Sequence, residues 1–191
     1  MDLDKESPYI NILAIDPSSN EVGIAKFKIH GGTKEIISID TVTVYLKPKG
    51  WASIPSTMSP LHERMMRFKS IFTAIMRDTR PITVVHESAF VDGGLRASAV
   101  IPLASANMLM SNIVYEFNKD ILVHTYTPPR VKNALGAKGN CKKEVMLETF
   151  KRHPLVNKFL DYRVMTEHEI DAVAVGLCAI RHYKLDPHIL I

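Results

Sequence analysis

The chain has 191 residues, 46% of them hydrophobic, enough for the core of one compact domain spanning residues 1–191. Its 24 basic and 20 acidic residues leave a net charge of +4, a mild excess that fits a polyanionic partner and equally an ordinary soluble protein. Cys141 and Cys178 fall in no zinc or disulfide-scaffold spacing, the N-terminus Met1-Asp2-Leu3-Asp4-Lys5-Glu6 lacks the pattern of a secretory signal, and no stretch reaches the roughly 20 apolar residues of a membrane span, so the sequence reads as a cytoplasmic protein in a reducing compartment.

Residues 10–15 form a continuous apolar run that predicts a strand ending at Asp16. Gly23, Ala25, Phe27 and Ile29 then alternate with Lys26 and Lys28, Gly31-Gly32 makes a turn, and residues 36–46 are rich in β-branched side chains. Three antiparallel strands should therefore open the chain. Residues 47–57, with Pro48, Gly50, Pro55 and the only tryptophan, Trp51, read as a loop. Ser59-Pro60 is a helix start, and Leu61, Met65, Phe68, Phe72 and Ile75 recur at helical spacing for about five turns until Pro81.

A fourth strand, Ile82-Thr83-Val84-Val85-His86, ends at Glu87. Gly93-Gly94 opens a second helical region reaching about Asn118, with an interruption or kink expected near Pro102. Met108, Leu109, Met110, Ile113, Val114 and Phe117 spread over more than one face of it. One face should cover the sheet; the other either meets a partner subunit or is buried within the monomer. Residues 121–126 predict a fifth strand. Pro128-Pro129 begins a basic segment with helices near 129–136 and 140–152, and a last helix starts at about Thr166. The pattern is α/β, a mixed sheet covered by helices.

An acid at the end of an apolar strand does not fill a core, because burying an unpaired carboxylate costs several kcal/mol. In an open α/β sheet ligands bind outside the strand ends, so Asp16 and Glu87 would meet there if their strands are parallel neighbours. The third acidic site is Glu167-His168-Glu169-Ile170-Asp171. Thr166 and Glu169 fit a capping box, which puts His168 and Asp171 on one face of the first turn while Glu169 points elsewhere. Glu167, four positions before Asp171, is a rival ligand on the same side. Ala172, Ala174, Gly176 and Ala179 would let this helix approach the sheet closely. Three carboxylates with an imidazole suit a hard cation such as Mg2+, and two such ions about 4 Å apart can activate water and stabilise a leaving oxygen in phosphoryl transfer. Each residue also has a plain structural explanation: strand-end acids form caps and turns, and His168 suits a solvated first turn. His86 faces away from Glu87 and reads as structural.

In this order, Ile12-Leu13-Ala14-Ile15-Asp16-Pro17-Ser18, Glu87 with Phe90, and His168 with Asp171 resemble the motifs of the RuvC family of Holliday junction resolvases, in the ribonuclease H-like superfamily. The resemblance runs from Asn11 to about Tyr183. Glycine is usual in the family where Ser18 stands, a departure closer to phage-type members, for which the host cytoplasm would be the location. The resemblance implies a ribonuclease H-like fold, with a mixed five-stranded sheet flanked by helices on both faces. It further implies that Asp16, Glu87, His168 and Asp171 are metal ligands for two Mg2+ ions, with Mn2+ as an alternative, and that Phe90 wedges against bases at the junction centre.

Arg130, Lys132, Lys138, Lys142 and Lys143 lie around Gly136 and Gly139, a loop and helix start able to grip phosphates. Lys132 and Lys142 align with family lysines that contact DNA or stabilise charge at the scissile phosphate, although the spacing from Lys132 to Gly136 is one residue short. Gly-Ala-Lys-Gly-Asn is not a Walker motif. The resemblance also implies a homodimer that places two active sites on opposite strands of a four-way junction, with the second helix as the dimer face. The expected activity is metal-dependent endonucleolytic hydrolysis of Holliday junctions or other branched DNA. The alternatives are a ribonuclease H-like nuclease acting on flaps, RNA or RNA-DNA hybrid, and a non-catalytic branched-DNA-binding protein.

Overall fold

The structure, a computed structural model, describes residues 8–18, 20–47, 59–88 and 97–185. The expected loop with Trp51, Phe90 and the Gly93-Gly94 opening of the second helical region lie outside the described residues. In chain order the elements are β1 (Tyr9–Asp16), β2 (Glu21–His30), β3 (Ile36–Tyr45), α1 (Pro60–Thr79), β4 (Thr83–Glu87), α2 (Ala97–Phe117), β5 (Leu122–Tyr126), α3 (Pro128–Ala134), α4 (Lys143–Arg152), α5 (Pro154–Phe159), a short 3-10 turn (Tyr162–Val164) and α6 (Glu167–Leu185).

The five strands form one sheet in the order β3-β2-β1-β4-β5. The β1–β2 and β2–β3 pairs are antiparallel, whereas β1–β4 and β4–β5 are parallel. The sheet is therefore mixed, as expected, and β1 is its centre. Ile12, Leu13, Ala14 and Ile15 are all fully buried, which is why β1 reads as a continuous apolar run rather than an alternating one. Ile12 and Ala14 join the core under α6, and Leu13 and Ile15 join the core under α1 and α2. Helices thus flank both faces.

Ser59 caps α1 by accepting from the His62 N–H, Pro60 occupies the first turn, and Arg80 closes the helix in the left-handed region at φ 42°. Met65, Phe68, Phe72 and Met76 form its buried face. In α2, Ala106, Met110, Ile113 and Val114 are buried, whereas Ile101, Met108 and Tyr115 are exposed. The interruption considered at Pro102 does not occur, since α2 continues through it. The proline forfeits one backbone bond early in the helix, and burial of the later apolar residues, each worth roughly 1.5–3 kcal/mol, outweighs that. Helix α5 and the 3-10 turn were not anticipated, being too short to carry a periodicity.

Helix α6 lies close against β1 and β2. A Cβ on Gly176 would run into the Phe27 ring, and one on Gly23 would run into the main-chain carbonyl of His168. At its far end the Tyr183 and Thr83 hydroxyls are bonded at 2.9 Å. Glycine at these two crossings is therefore what lets the first turn of α6 reach the strand ends.

Candidate functional site

Parallel pairing of β1 and β4 sets Ile15 opposite His86, so the next residues, Asp16 and Glu87, emerge side by side from the same edge of the sheet. The capping box forms as read: the Thr166 N–H donates to Glu169 Oε2 at 2.8 Å and the Glu169 N–H to Thr166 Oγ1 at 3.2 Å. A hydroxyl–hydroxyl bond between Thr43 and Thr166 ties that cap to β3. With the helix start fixed in this way, His168 Nδ1 donates to Asp16 Oδ2 at 2.7 Å, and its Nε2 lies 3.9 Å from Glu21 Oε2. Asp171, one turn on, accepts from Lys143 Nζ at 3.1 Å, and Lys143 is also paired with Glu167.

Glu87, Asp171, Lys132 and Lys143 line one open cleft of about 220 Å³ with Pro128, Val131 and Met146. Burial, and then the negative charges of Asp16 and Asp171, push the Glu87 carboxyl up to about 7, against the pull of Lys132 and Lys143. Burial and Asp16 also raise Asp171, opposed by Lys143. The bond to Asp16 raises His168. These groups behave as an acidic cluster with less positive charge than it requires, built from hard oxygen donors, and that chemistry fits a divalent cation. Among the described residues no three such side chains already stand in ligand geometry around one point.

The basic residues separate into two sets. Lys132 and Lys143 lie at the acids, and Lys132 Nζ donates to the Cys141 carbonyl at 2.7 Å, which fastens α3 to the loop before α4. Lys142 stands at the N-cap of α4 without capping it through its side chain, and both Lys142 and Lys138 are exposed. Arg130 lies elsewhere, against His182 of α6.

Two features at the acids were not read from the sequence. Glu21 joins through the β-hairpin, because the register that sets Asp16 opposite Gly23 brings the start of β2 up to the same edge; a firm pairing of the first two strands would have signalled it. Lys143, rather than its neighbour Lys142, contacts Asp171, a choice that depends on where α4 begins. His86 is buried, with Nδ1 donating to the Glu87 carbonyl at 3.0 Å and Nε2 bonded to Thr125 Oγ1 at 3.1 Å. Burial lowers its pKa and keeps it neutral, so it holds the end of β4 from beneath.

Comparison with known proteins points to one family. The sequence model described as "Crossover junction endodeoxyribonuclease RuvC" matches residues 12–179. The crossover junction endodeoxyribonuclease RuvC of Ehrlichia ruminantium is 24% identical over 178 residues, covering 92% of this chain and 99% of that protein. Among solved structures, Thermus thermophilus RuvC in complex with Holliday junction substrate superposes with a TM-score of 0.64 at 18% identity, covering 93% of this chain and 96% of the other. The yeast mitochondrial Holliday junction resolvase Ydc2 superposes with a TM-score of 0.62 at 9% identity, covering 98% and 85%. These likenesses confirm the ribonuclease H-like α/β fold. With the family model spanning β1 to α6, the chain belongs to the RuvC family of crossover junction endodeoxyribonucleases.

Proposed function

We propose that the chain is a divalent-metal-dependent endonuclease that resolves four-way DNA junctions, working as a single nuclease domain. The observation that carries this reading is the convergence of Asp16 and Glu87 from parallel neighbouring strands with His168 and Asp171 from the first turn of α6. Asp16, Glu87 and Asp171 would hold two Mg2+ ions, with His168 either completing the set or orienting Asp16 through their 2.7 Å bond. The bound ions would supply a nucleophilic water and neutralise charge on the leaving oxygen. Lys132 and Lys143 offset the acids before metal arrives and offer donors to a scissile phosphate. Lys142, exposed at the start of α4, would meet DNA from outside the cleft, as would the exposed Lys138. Phe90 keeps its reading as a wedge between bases.

The stripe of Ile101, Met108 and Tyr115 on α2, at intervals of seven residues and exposed among the described residues, supports a homodimer through that helix. Two sites related by a two-fold axis would meet opposite strands of a junction. No helix among the described residues is long and apolar enough to cross a membrane, consistent with work on DNA in the cytoplasm, or in the host cytoplasm if Ser18 marks a phage-type member.

The test is a substrate panel: a four-way junction, a flap, a linear duplex and an RNA-DNA hybrid, each incubated with Mg2+ or with EDTA, and the products mapped by strand. Paired symmetric nicks in the junction, abolished by EDTA, are the expected result. Cleavage of the hybrid in preference to the junction would replace this reading with a ribonuclease H-like one, and junction binding without cleavage would replace it with a non-catalytic one.

A further inference from the structure

Ten residues beyond Asp171, about 15 Å along α6, a second basic feature lies away from the acids. There Arg181 and His182 of α6 and Arg130 of α3 border an open cleft of about 210 Å³, completed by Asn133, Ala134 and Cys178. None of these six residues is an acid, and among the described residues neither arginine forms an ion pair. Two unneutralised guanidiniums on facing helices repel each other, and no acid among the described residues pairs with either of them.

The donors are also arranged for a ligand. Arg130 Nη2 lies 2.8 Å from His182 Nδ1. A guanidinium can only donate, so Nδ1 is the acceptor in this contact. The Arg130 guanidinium lies over the Tyr126 ring, 5.0 Å from its centroid, which steadies it without using its N–H groups. Arg181 Nη1 donates to the Asn133 and Ala134 carbonyls at 3.2 and 3.3 Å. That fixes the side chain and leaves its other N–H groups for a ligand. Both arginines sit near enough to Cys178 to oppose the rise that burial imposes on its thiol. A rim of fixed N–H donors without a carboxylate selects an anion with several oxygens, and planar guanidinium forks match a phosphate.

We propose that this α3–α6 cleft is a second phosphate-binding subsite, which grips a backbone phosphodiester of a DNA arm while the acidic site holds the scissile one. The proposal rests on the reading of the chain as a DNA-junction nuclease. Helix α3 is the shared part: Lys132 faces the acids, and Arg130, two residues earlier and so about 200° away around the helix, faces the other flank. A separation of about 15 Å corresponds to roughly four nucleotides of axial advance along one strand, so the two sites together would set the register of the arm. Capping of the α3 carbonyls accounts for Arg181, and contacts with Tyr126 and His182 hold Arg130, but neither set of contacts neutralises the two charges that meet at the cleft.

The experiment measures binding of the full chain to a four-way junction and to a linear duplex, without divalent cations, as a function of salt. Arg130→Gln is expected to reduce the slope of log affinity against log salt by about 0.9, the value of one lost phosphate contact, on both DNAs. Arg130→Lys should restore the slope, which repair of a merely structural defect by a shorter, unforked side chain would not do. A wild-type slope for Arg130→Gln, or failure of Arg130→Lys to restore it, overturns the subsite and leaves the nuclease reading untouched. A reduced slope in a protein that cleaves no substrate of the panel supports the subsite while the nuclease reading falls. Absence of salt-dependent DNA binding by the unaltered chain overturns both.

Discussion

Glu87 holds its proton at a pH where a carboxyl group is ordinarily ionised, since burial and the charges of Asp16 and Asp171 move it to about 7. Its pKa in the unfolded chain is near 4.5, so folding takes up a proton, and the stability it contributes in acid is lost as pH rises from about 4.5 through 7. Asp171 and His168 are shifted in the same direction and add to the same fall. The metal-free protein should therefore melt at a lower temperature at pH 8 than at pH 5. Glu87→Gln should flatten that dependence, and Mg2+ at pH 8 should raise the melting temperature of the wild type more than that of the variant. Calorimetry in EDTA and in Mg2+ checks this; a wild-type melting temperature that rises from pH 5 to pH 8 in EDTA would contradict it. Asp16, Glu87 and Asp171 were legible as candidates because acids rarely end apolar runs without a reason. Glu21 and the choice of Lys143 over Lys142 at Asp171 were not, because both depend on which element edges meet in space.

The close seat of α6 on β2 is what delivers His168 to Asp16. The carbonyl of His168 occupies the space a side chain at position 23 would need. Gly23→Ala must push main chain rather than a pliable side chain, so it should cost about 3 kcal/mol, or a fall of roughly 6–12 °C in melting temperature. It should also break the Asp16–His168 bond, visible as a shift of the His168 imidazole resonances; an unchanged melting temperature and spectrum would show that the contact is slack. The five strands, the Ser59-Pro60 start of α1 and the Thr166–Glu169 box were readable because periodicity and cap chemistry are local signals. The glycine crossings were only half readable. The small residues of α6 announced a close approach, but Gly23 looked like an ordinary strand position until the hairpin register placed it under the helix start. Helix α5 is held by the burial of Val156, and Pro102 is carried within α2, both outcomes of tertiary packing.

At the scale of the whole molecule, the exposed stripe of α2 and the paired cuts expected of a resolvase make one claim, that two chains act together. Met108 lies in the middle of that stripe and is 66% exposed. Met108→Glu would place an unpaired charge in the proposed interface at a cost of about 3 kcal/mol, weakening the dimer by roughly a hundredfold. Sedimentation should then show a 21.4 kDa monomer where the parent chain is twice that mass; equal masses for the two proteins would remove α2 from the interface. A mixed sheet covered by helices was visible in the order of strands and helices, whereas the strand neighbours were left open and pairing with a second copy leaves no signal inside one chain beyond an apolar stripe. The central claim is that the acids gathered at the ends of β1 and β4 cut DNA through bound metal. Its most direct test is Asp16→Asn on a four-way junction, with binding and Mg2+-dependent single-turnover cleavage measured on the same preparation. The account predicts junction affinity within about threefold of wild type and cleavage slower by roughly a thousandfold. Near-normal Mg2+-dependent cleavage by Asp16→Asn would contradict it.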